Sequence, residues 1–196
     1  REKILRILGK GQTIGYETLF TPTQHPAVLR ACTELEVCQY PKAELERLMG
    51  DDRGIAKRVL NSLSEYNVIL EQQVKLLSIA SASERVKLGL FILARQLDGK
   101  GQNEMELPLT NNDLSALIGL NRVTISRALK ELEDQGLVKR GHGALTLHLE
   151  QLKWAINTPS ELSELGFGLE ERRDEPSSNL NAALEMEMVI QNRSLN

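Results

Sequence analysis

The sequence is poor in the residues that build redox, metal and membrane sites. Its 196 residues include two cysteines and three histidines, and 4% of them are aromatic. Cys32 and Cys38 have no metal-ligand spacing, so we expect buried structural thiols, with redox or haem sensing as the alternative. No stretch approaches the roughly 20 apolar residues that span a bilayer, and no signal peptide is visible. These absences predict a cytoplasmic protein.

The sequence also lacks the arrangements that carry catalysis. Paired carboxylates, a nucleophile with its base, a metal cluster and a phosphate-binding loop are all missing at usable spacings. We therefore expect no enzyme activity. With 41% hydrophobic residues, the chain is long enough for two small domains, each with a core of its own.

Charge is distributed unevenly along the chain. The net charge is −3, which argues against a general nucleic-acid coat protein. However, residues 157–196 carry eight acidic and three basic side chains, so the rest of the chain is slightly positive and has room for a local basic patch. We expect residues 157–196 to be a poorly ordered acidic tail with one short helix over residues 180–190.

The most informative stretch, residues 109–149, predicts a helix-turn-helix. Thr110 and Asp113 have the spacing of a capping box, which predicts a helix over residues 111–118 that ends at Gly119. Asn121 is a good N-cap for a second helix over residues 122–135. The apolar residues of this second helix recur at helical spacing: Ile125, Ala128, Leu129 and Leu132.

A two-stranded wing is predicted after Gly136. Residues 137 and 138 begin the first strand, and residues 139–143 (KRGHG) form a basic hairpin tip. In the second strand Leu145, Leu147 and Leu149 alternate with polar residues. A helix-turn-helix of this kind binds DNA by laying its second helix in the major groove. The alternative is a small helical packing unit whose charged face is merely solvated.

The candidate DNA-binding residues lie on the polar face of the second helix and on the wing. Arginine pairs with guanine or phosphate, and a small residue such as Ser126 lets the helix approach closely. The complete set is Thr110, Asn121, Arg122, Val123, Thr124, Ser126, Arg127, Lys130, Lys139, Arg140 and His142.

A long helix predicted over residues 53–79 has the pattern of a coiled-coil seam. Its seam residues are spaced 3, 4, 3, 4, 3, with leucine at the d positions and one asparagine at an a position. Such an asparagine fixes the register of a parallel two-stranded coil. We therefore expect a homodimer, and the alternative is that this face packs on the chain's own sheet. The seam consists of Leu60, Leu63, Asn67, Leu70, Val74 and Leu77.

The N-terminal part is predicted to be mostly β structure. Residues 27–32 and 35–40 are expected to form a hairpin around Thr33 and Glu34, and Pro41 ends the sheet before a short helix over residues 42–49. A further amphipathic helix is predicted over residues 84–97. The expected domains are residues 1–50 (partial β effector domain), 51–80 (dimerisation helix), 81–156 (winged helix-turn-helix) and 157–196 (tail).

This order of elements resembles the cyclic-AMP receptor and fumarate-nitrate regulator (CRP/FNR) superfamily of bacterial transcription regulators. Residues 109–114 (LTNNDL) and 119–127 (GLNRVTISR) are similar to the superfamily's helix-turn-helix motif, and the match covers residues 1–154. The resemblance implies an α+β fold, with the C-terminal part of a jelly-roll-like β-barrel, a dimerisation helix and a winged helix-turn-helix. It also implies a palindromic DNA site, contact with RNA polymerase as activator or repressor, and about the first quarter of the family fold preceding Arg1.

The resemblance places an effector pocket after residues 11–15 (GQTIG). Cyclic-nucleotide binders there supply a glutamate and an Arg-Ser or Arg-Thr pair, whereas this chain has Tyr16 and His25-Pro26. Because proline has no backbone N–H and no fixed cation is present, we expect no cyclic-AMP binding. No cofactor is expected to be required for DNA binding, and haem on His25 or a small-molecule effector stays open. The candidate pocket is Gly15, Tyr16, Glu17, His25, Arg30, Tyr66 and Asn67.

Val123 occupies a position where much of the superfamily has a glutamate that pairs with cytosine. The Arg122-Val123-Thr124 sequence is similar to the recognition helix of the cyanobacterial global nitrogen regulators, which implies GTA-like half-sites about one helical turn apart. The alternative function is a ligand-binding or protein-interaction module whose winged helix contacts protein.

Overall fold

A computed structural model of the protein describes residues 3–21, 27–97 and 102–156, and the backbone of residues 188–192. Short strands and helices alternate along the described chain. The elements are β1 (Lys3–Leu8), a 3₁₀ helix (Tyr16–Thr18), β2 (Val28–Ala31), α1 (Lys42–Asp51), α2 (Arg53–Ser78), α3 (Ala82–Gln96), β3 (Glu104–Leu107), α4 (Asn111–Ile118), α5 (Arg122–Asp134), β4 (Val138–Arg140), β5 (Leu145–His148), α6 (Leu149–Ala155) and β6 (Met188–Asn192).

Local hydrogen bonds fix both helices of the helix-turn-helix. The hydroxyl of Thr110 accepts from the N–H of Asp113 at 3.2 Å, and the Asp113 carboxylate accepts from the N–H of Thr110 at 2.9 Å. Gly119 then adopts the left-handed conformation, at φ 78°, that ends α4. The Asn121 side chain caps α5 by accepting from the N–H of Thr124 at 2.8 Å. The predicted capping box, turn and N-cap are therefore confirmed.

The wing belongs to a three-stranded antiparallel sheet of order β3-β5-β4, rather than to a separate two-stranded hairpin. The additional strand β3 lies between α3 and α4 in the chain and pairs Leu107 with Leu145. The prediction that Leu149 continues β5 is wrong, because Leu149 begins α6. Its N–H bonds to the carbonyl of Asn103 at 2.9 Å, and the chain then turns so that Leu152 of α6 is fully buried.

One continuous core joins the first strand to the winged unit. Ile4 and Ile7 of β1 lie in the same buried cluster as Leu90 of α3, Ile118 of α4 and Leu129 of α5. Each such side chain contributes about 1.5–3 kcal/mol when it leaves water. The inward face predicted for the second helix is confirmed, since its four apolar residues are all buried.

The second sheet, of order β1-β6-β2, corrects three predictions. No strand forms over residues 35–40, where Val37 and Tyr40 are exposed, so the expected hairpin with residues 27–32 is wrong. The expected burial of both thiols is wrong for the same reason, since Cys38 is exposed in this segment and Cys32 is half-buried. The reason is that β2 pairs antiparallel with β6, with Leu29 opposite Ile190. Residues 188–190 therefore lie in a strand rather than in the predicted helix, and the rest of that helix lies outside the described residues.

α2 runs for 26 residues, and the Asp52 side chain caps it by accepting from the N–H of Gly54 at 2.7 Å. Its inward face buries Val59 and Leu76. α1 precedes it, and α3 begins at an N-cap formed by Ser81. No helix in the described part of the chain has the length and apolar character needed to span a membrane.

Candidate nucleic-acid interface

The outer face of α5 is exposed over its whole N-terminal half. Arg122, Arg127 and Lys130 are exposed, Ser126 is half-buried, and Val123 has 59% of its surface in contact with solvent. Because the opposite face of the helix is buried in the core, packing fixes which face of α5 points outward. The helix therefore presents two arginines, one lysine and one apolar side chain on a rigid support.

Three of the predicted DNA contacts have polar atoms that serve as helix caps. The hydroxyl of Thr124 donates to Oδ1 of Asn121 at 3.0 Å. The hydroxyl of Thr110 donates to Oδ2 of Asp113 at 2.7 Å. These residues hold the ends of α4 and α5 in place, next to the exposed face.

The wing presents its cations around a tight turn. Lys139, Arg140 and His142 are all exposed. The turn is closed by a bond from the N–H of Gly141 to the carbonyl of Ala144 at 2.9 Å. Lys139 and His142 are thus exposed on the wing, whereas the guanidinium of Arg140 has a partner on α5.

That partner is Glu133, in the last turn of α5. One oxygen of Glu133 accepts from Nε of Arg140 at 2.6 Å, and the other accepts from the backbone N–H of Arg140 at 3.0 Å. These hydrogen bonds lower the pKa of Glu133 below its usual value. We did not predict this contact, although a glutamate near the end of a helix and an arginine in the strand that follows a glycine turn are a recognisable signal.

A second unpredicted contact ties the N-terminal sheet to the helix-turn-helix. Arg30 of β2 donates to the Asp113 carboxylate, which also accepts from the amide and hydroxyl of Thr110. Burial alone would raise the pKa of Asp113, but the bonds from Thr110 and Arg30 together lower it. The capping box of α4 is therefore also the attachment point of β2.

The structure brings together part of the candidate effector pocket. Gly15 has φ 100° and opens the turn that contains Tyr16 and Glu17, both half-buried, and its N–H donates to Glu17 at 3.1 Å. Arg30 instead reaches Asp113. Tyr66 lies on the inner side of α2, Asn67 is exposed on that helix, and His25 lies outside the described residues.

Arg6 contacts the candidate pocket residue Tyr66, and we did not predict this contact. Its guanidinium carbon lies 4.8 Å from the centre of the Tyr66 ring, and Nη2 donates to the carbonyl of Thr13 at 2.8 Å. Only 7% of Arg6 is exposed, and its Nε has no hydrogen-bond partner among the described residues. Burial lowers the pKa of Arg6, an effect that the nearby Glu17, Tyr66 and Glu65 oppose. An arginine between the apolar residues Leu5 and Ile7 of the strand KILRIL is the signal that could have indicated it.

The predicted dimer seam faces away from the core of the chain. Leu60, Asn67, Val74 and Leu77 are exposed, whereas Leu63 and Leu70 are half-buried. The buried residues of α2, such as Val59, are on a different face. The exposed apolar edge of α2 is thus available to a partner helix.

Comparison with known proteins places these features in one family. Residues 1–52 match a family model described as a cyclic nucleotide-binding domain, and residues 84–153 match one described as a Crp-like helix-turn-helix domain. Together the two models cover more than half of the chain. The chain belongs to the CRP/FNR family of DNA-binding transcription regulators.

Individual members of the CRP/FNR family are moderately similar to the chain. The cAMP-activated global transcriptional regulator CRP of Salmonella typhimurium is 29% identical over 145 residues, which are 73% of this chain and 69% of that protein. The anaerobic regulatory protein of Pasteurella multocida is 27% identical over 70% of this chain and 50% of its own length. The structure of FixK2 from Bradyrhizobium japonicum superposes with a TM-score of 0.49 at 28% identity and covers 57% of each chain.

The sequence departs at two places from the cyclic-nucleotide pattern. Tyr16 replaces the glutamate expected at the ribose, and His25-Pro26 replaces the phosphate-binding pair. Of the nearby cations, Arg30 is engaged by Asp113 and Arg6 is buried against Tyr66. Lys42 is an exposed cation beside the Gly15 turn, and its ammonium donates to the carbonyl of Thr18 at 3.4 Å.

Proposed function

We propose that the chain binds a specific palindromic DNA sequence through α5 and regulates transcription from that site. The observation that carries this proposal is the outer face of α5, where Arg122, Val123 and Arg127 are exposed on a helix whose other face is buried. A major groove admits one helix, and arginines at its N-terminal end meet base edges.

Base contacts by this face have a defined chemistry. Arg122 and Arg127 each pair with guanine through two hydrogen bonds or hold a phosphate. Val123 offers only apolar contact, which suits the methyl group of thymine. By resemblance to the cyanobacterial nitrogen regulators, the half-site is GTA-like, and each recognition helix reads one half.

The regulator acts as a homodimer joined along α2. The exposed seam residues support this arrangement, because a run of exposed leucine and valine at heptad spacing is stabilised by a matching helix. A two-fold axis through α2 places the two recognition helices on successive turns of the same DNA face.

The effector is a small molecule other than cyclic AMP. This part of the proposal is supported by Tyr16 and Pro26, which lack the carboxylate and the amide that hold the ribose and the phosphate. The pocket lies between the Gly15 turn and the inner side of α2, where Tyr66 packs against Arg6.

Fluorescence anisotropy of labelled duplex DNA over a series of salt concentrations tests the proposal. A protein that neutralises several phosphates loses orders of magnitude in affinity as salt rises, because condensed counterions are released on binding. A plot of log affinity against log salt should have a slope of about −0.9 per phosphate contact. An affinity independent of salt, or no DNA binding at all, would favour a protein-interaction module.

A further inference from the structure

Glu133 and Arg140 are joined by three polar contacts within the winged unit. Nε and Nη2 of Arg140 both lie within hydrogen-bonding distance of Oε2 of Glu133, at 2.6 and 2.5 Å. The backbone N–H of Arg140 donates to Oε1 of the same carboxylate at 3.0 Å. One glutamate therefore holds the main chain and the side chain of the same residue.

The position of these residues explains what the contact controls. Glu133 lies in the last turn of the recognition helix α5, and Arg140 is the last residue of β4, just before the hairpin tip. Only a short turn joins them, closed by bonds from Gly136 to Glu133 and from Leu137 to Leu132, both at 2.9 Å. The contact therefore fixes where the wing leaves the recognition helix.

Strand alternation separates Arg140 from Lys139. Successive side chains of a strand point to opposite faces, so Arg140 shares the face of Val138, which is 2% exposed and packed in the core. Lys139 is on the other face, opposite Thr146 of β5. Within the described part of the chain Lys139 makes no ion pair, and it is exposed. The two neighbouring cations thus have different surroundings.

We propose that Arg140 is a positioning residue that braces the wing against α5 through Glu133, and that Lys139 and His142 carry the wing's contacts with the phosphate backbone. This inference rests on the proposed DNA binding and deepens it. An arginine whose charge is already satisfied by a carboxylate gains little from a phosphate, because it must first leave its partner. A lysine without such a partner has no such cost.

Salt titrations of single variants separate the two roles. Lys139→Ala should remove a phosphate contact. The slope of log affinity against log salt should therefore become less negative by about 0.9 for each wing bound. Arg140→Ala should weaken binding several-fold at one salt concentration but leave the slope at its wild-type value. A slope that changes as much in Arg140→Ala as in Lys139→Ala would overturn the assignment, as would an unchanged slope in Lys139→Ala.

A charge exchange gives a second test. Arg140→Glu alone should weaken binding strongly, because Glu133 and the new carboxylate repel each other. Glu133→Arg combined with Arg140→Glu restores the ion pair with the charges reversed, although not the bond from the backbone N–H of residue 140, and should recover part of the lost affinity. A phosphate-binding role for Arg140 predicts the opposite, because the exchanged protein presents a carboxylate to the DNA. No recovery in the double variant would therefore contradict the proposal.

Amide hydrogen exchange tests the brace without DNA. The N–H of Arg140 bonds to a side chain instead of to another strand, so Glu133→Ala should speed its exchange several-fold. Glu131→Ala, two residues earlier on α5 and exposed, is the matched control and should leave that amide unchanged. If the wild-type protein fails to bind DNA, the proposed function is wrong. Faster exchange of the Arg140 amide in Glu133→Ala would still support the contact between Glu133 and Arg140. Unchanged exchange in Glu133→Ala would contradict the brace itself.

Discussion

The winged unit and the N-terminal sheet are built in different ways from the same chain. In the winged unit the α4, α5 and β4 elements follow each other and pack directly on one another, and Leu129 at their centre is 1% exposed. In the other sheet β1 and β2 are both paired with β6 from the opposite end of the chain, and Leu29 of β2 is 46% exposed. The strand β2 is thus packed less tightly than the candidate interface, whereas β1 shares the core of the winged unit.

This contrast suggests that the winged unit recognises DNA and that the less tightly packed N-terminal part responds to an effector. A recognition helix must hold its arginines in one place, because a base contact depends on a few tenths of an ångström. A regulatory part must instead respond to an effector, and elements that move are drawn from the less tightly packed regions. The link from Arg30 to Asp113 joins the exposed strand β2 to the capped end of α4.

The largest expected effect comes from breaking the seam of α2. Leu63→Glu with Leu70→Glu places like charges across the proposed two-fold axis, where each unpaired buried charge costs several kcal/mol. The double variant should be monomeric by analytical ultracentrifugation and should lose tight binding to a palindromic site. Asn61→Glu, an exposed position outside the seam, should leave the dimer intact. A double variant that still sediments as a dimer would refute the seam.

A matched pair of leucine substitutions tests the difference in packing. Leu129→Ala empties a fully buried site in α5 and should lower the free energy of unfolding by about 2–5 kcal/mol. Leu29→Ala shortens a side chain of β2 that is nearly half exposed to solvent. It should change the free energy of unfolding by about 0.5 kcal/mol or less. Chemical denaturation monitored by circular dichroism gives both values. Equal losses would mean that β2 is packed as tightly as the winged unit.

Asp113 links the two regions and gives a smaller, pH-dependent effect. Its pKa is lower in the folded state, so its contribution to stability is present above the unfolded pKa of about 3.9 and is lost as the pH falls through the folded pKa. Asp113→Asn should cost about 1 kcal/mol at neutral pH, as loss of a helix cap does. The difference from wild type should shrink below about pH 4.

Urea unfolding of both proteins at several pH values measures this difference. Asp134→Asn, an exposed carboxylate at the end of α5, is the control and should leave the unfolding curve nearly unchanged at every pH. A constant difference between Asp113→Asn and wild type down to pH 2 would show that the charge of Asp113 is not what stabilises the cap.

The smallest expected effect is the response to cyclic AMP. Isothermal titration calorimetry should detect no heat, and the DNA affinity should not change, because Tyr16 and His25-Pro26 replace the groups that hold the nucleotide. Binding at micromolar strength would mean that another cation, such as Arg6 or Arg30, receives the phosphate.

Contacts between residues close together in the sequence were predictable, and contacts between distant residues were not. The capping box of Thr110 and Asp113 spans three residues, so the start of α4 was predictable from the sequence alone. The pairing of β2 with β6 was not predictable, because β6 lies at the far end of the chain. No short turn connects the two strands, so the sequence next to β2 gives no sign of its partner. The contact of Arg30 with Asp113 was unpredictable for the same reason, since 83 residues separate the two.

The candidate interface was predictable where a helix defined it. Val123 and Arg127 were placed on the outer face of α5 by the spacing of Ile125 and Leu129, and the structure places them there. The partner of Arg140 was not predicted, because helical spacing says nothing about a contact across the turn into β4.

Site selection from randomised DNA, done side by side with wild type and Val123→Glu, tests the central claim that the outer face of α5 meets the bases. Wild type should select a palindrome with GTA-like halves. The glutamate accepts a hydrogen bond from cytosine, so Val123→Glu should shift one position of each half toward a G·C pair, by about 1–3 kcal/mol. Identical consensus sequences from the two proteins would mean that Val123 does not face the base edges.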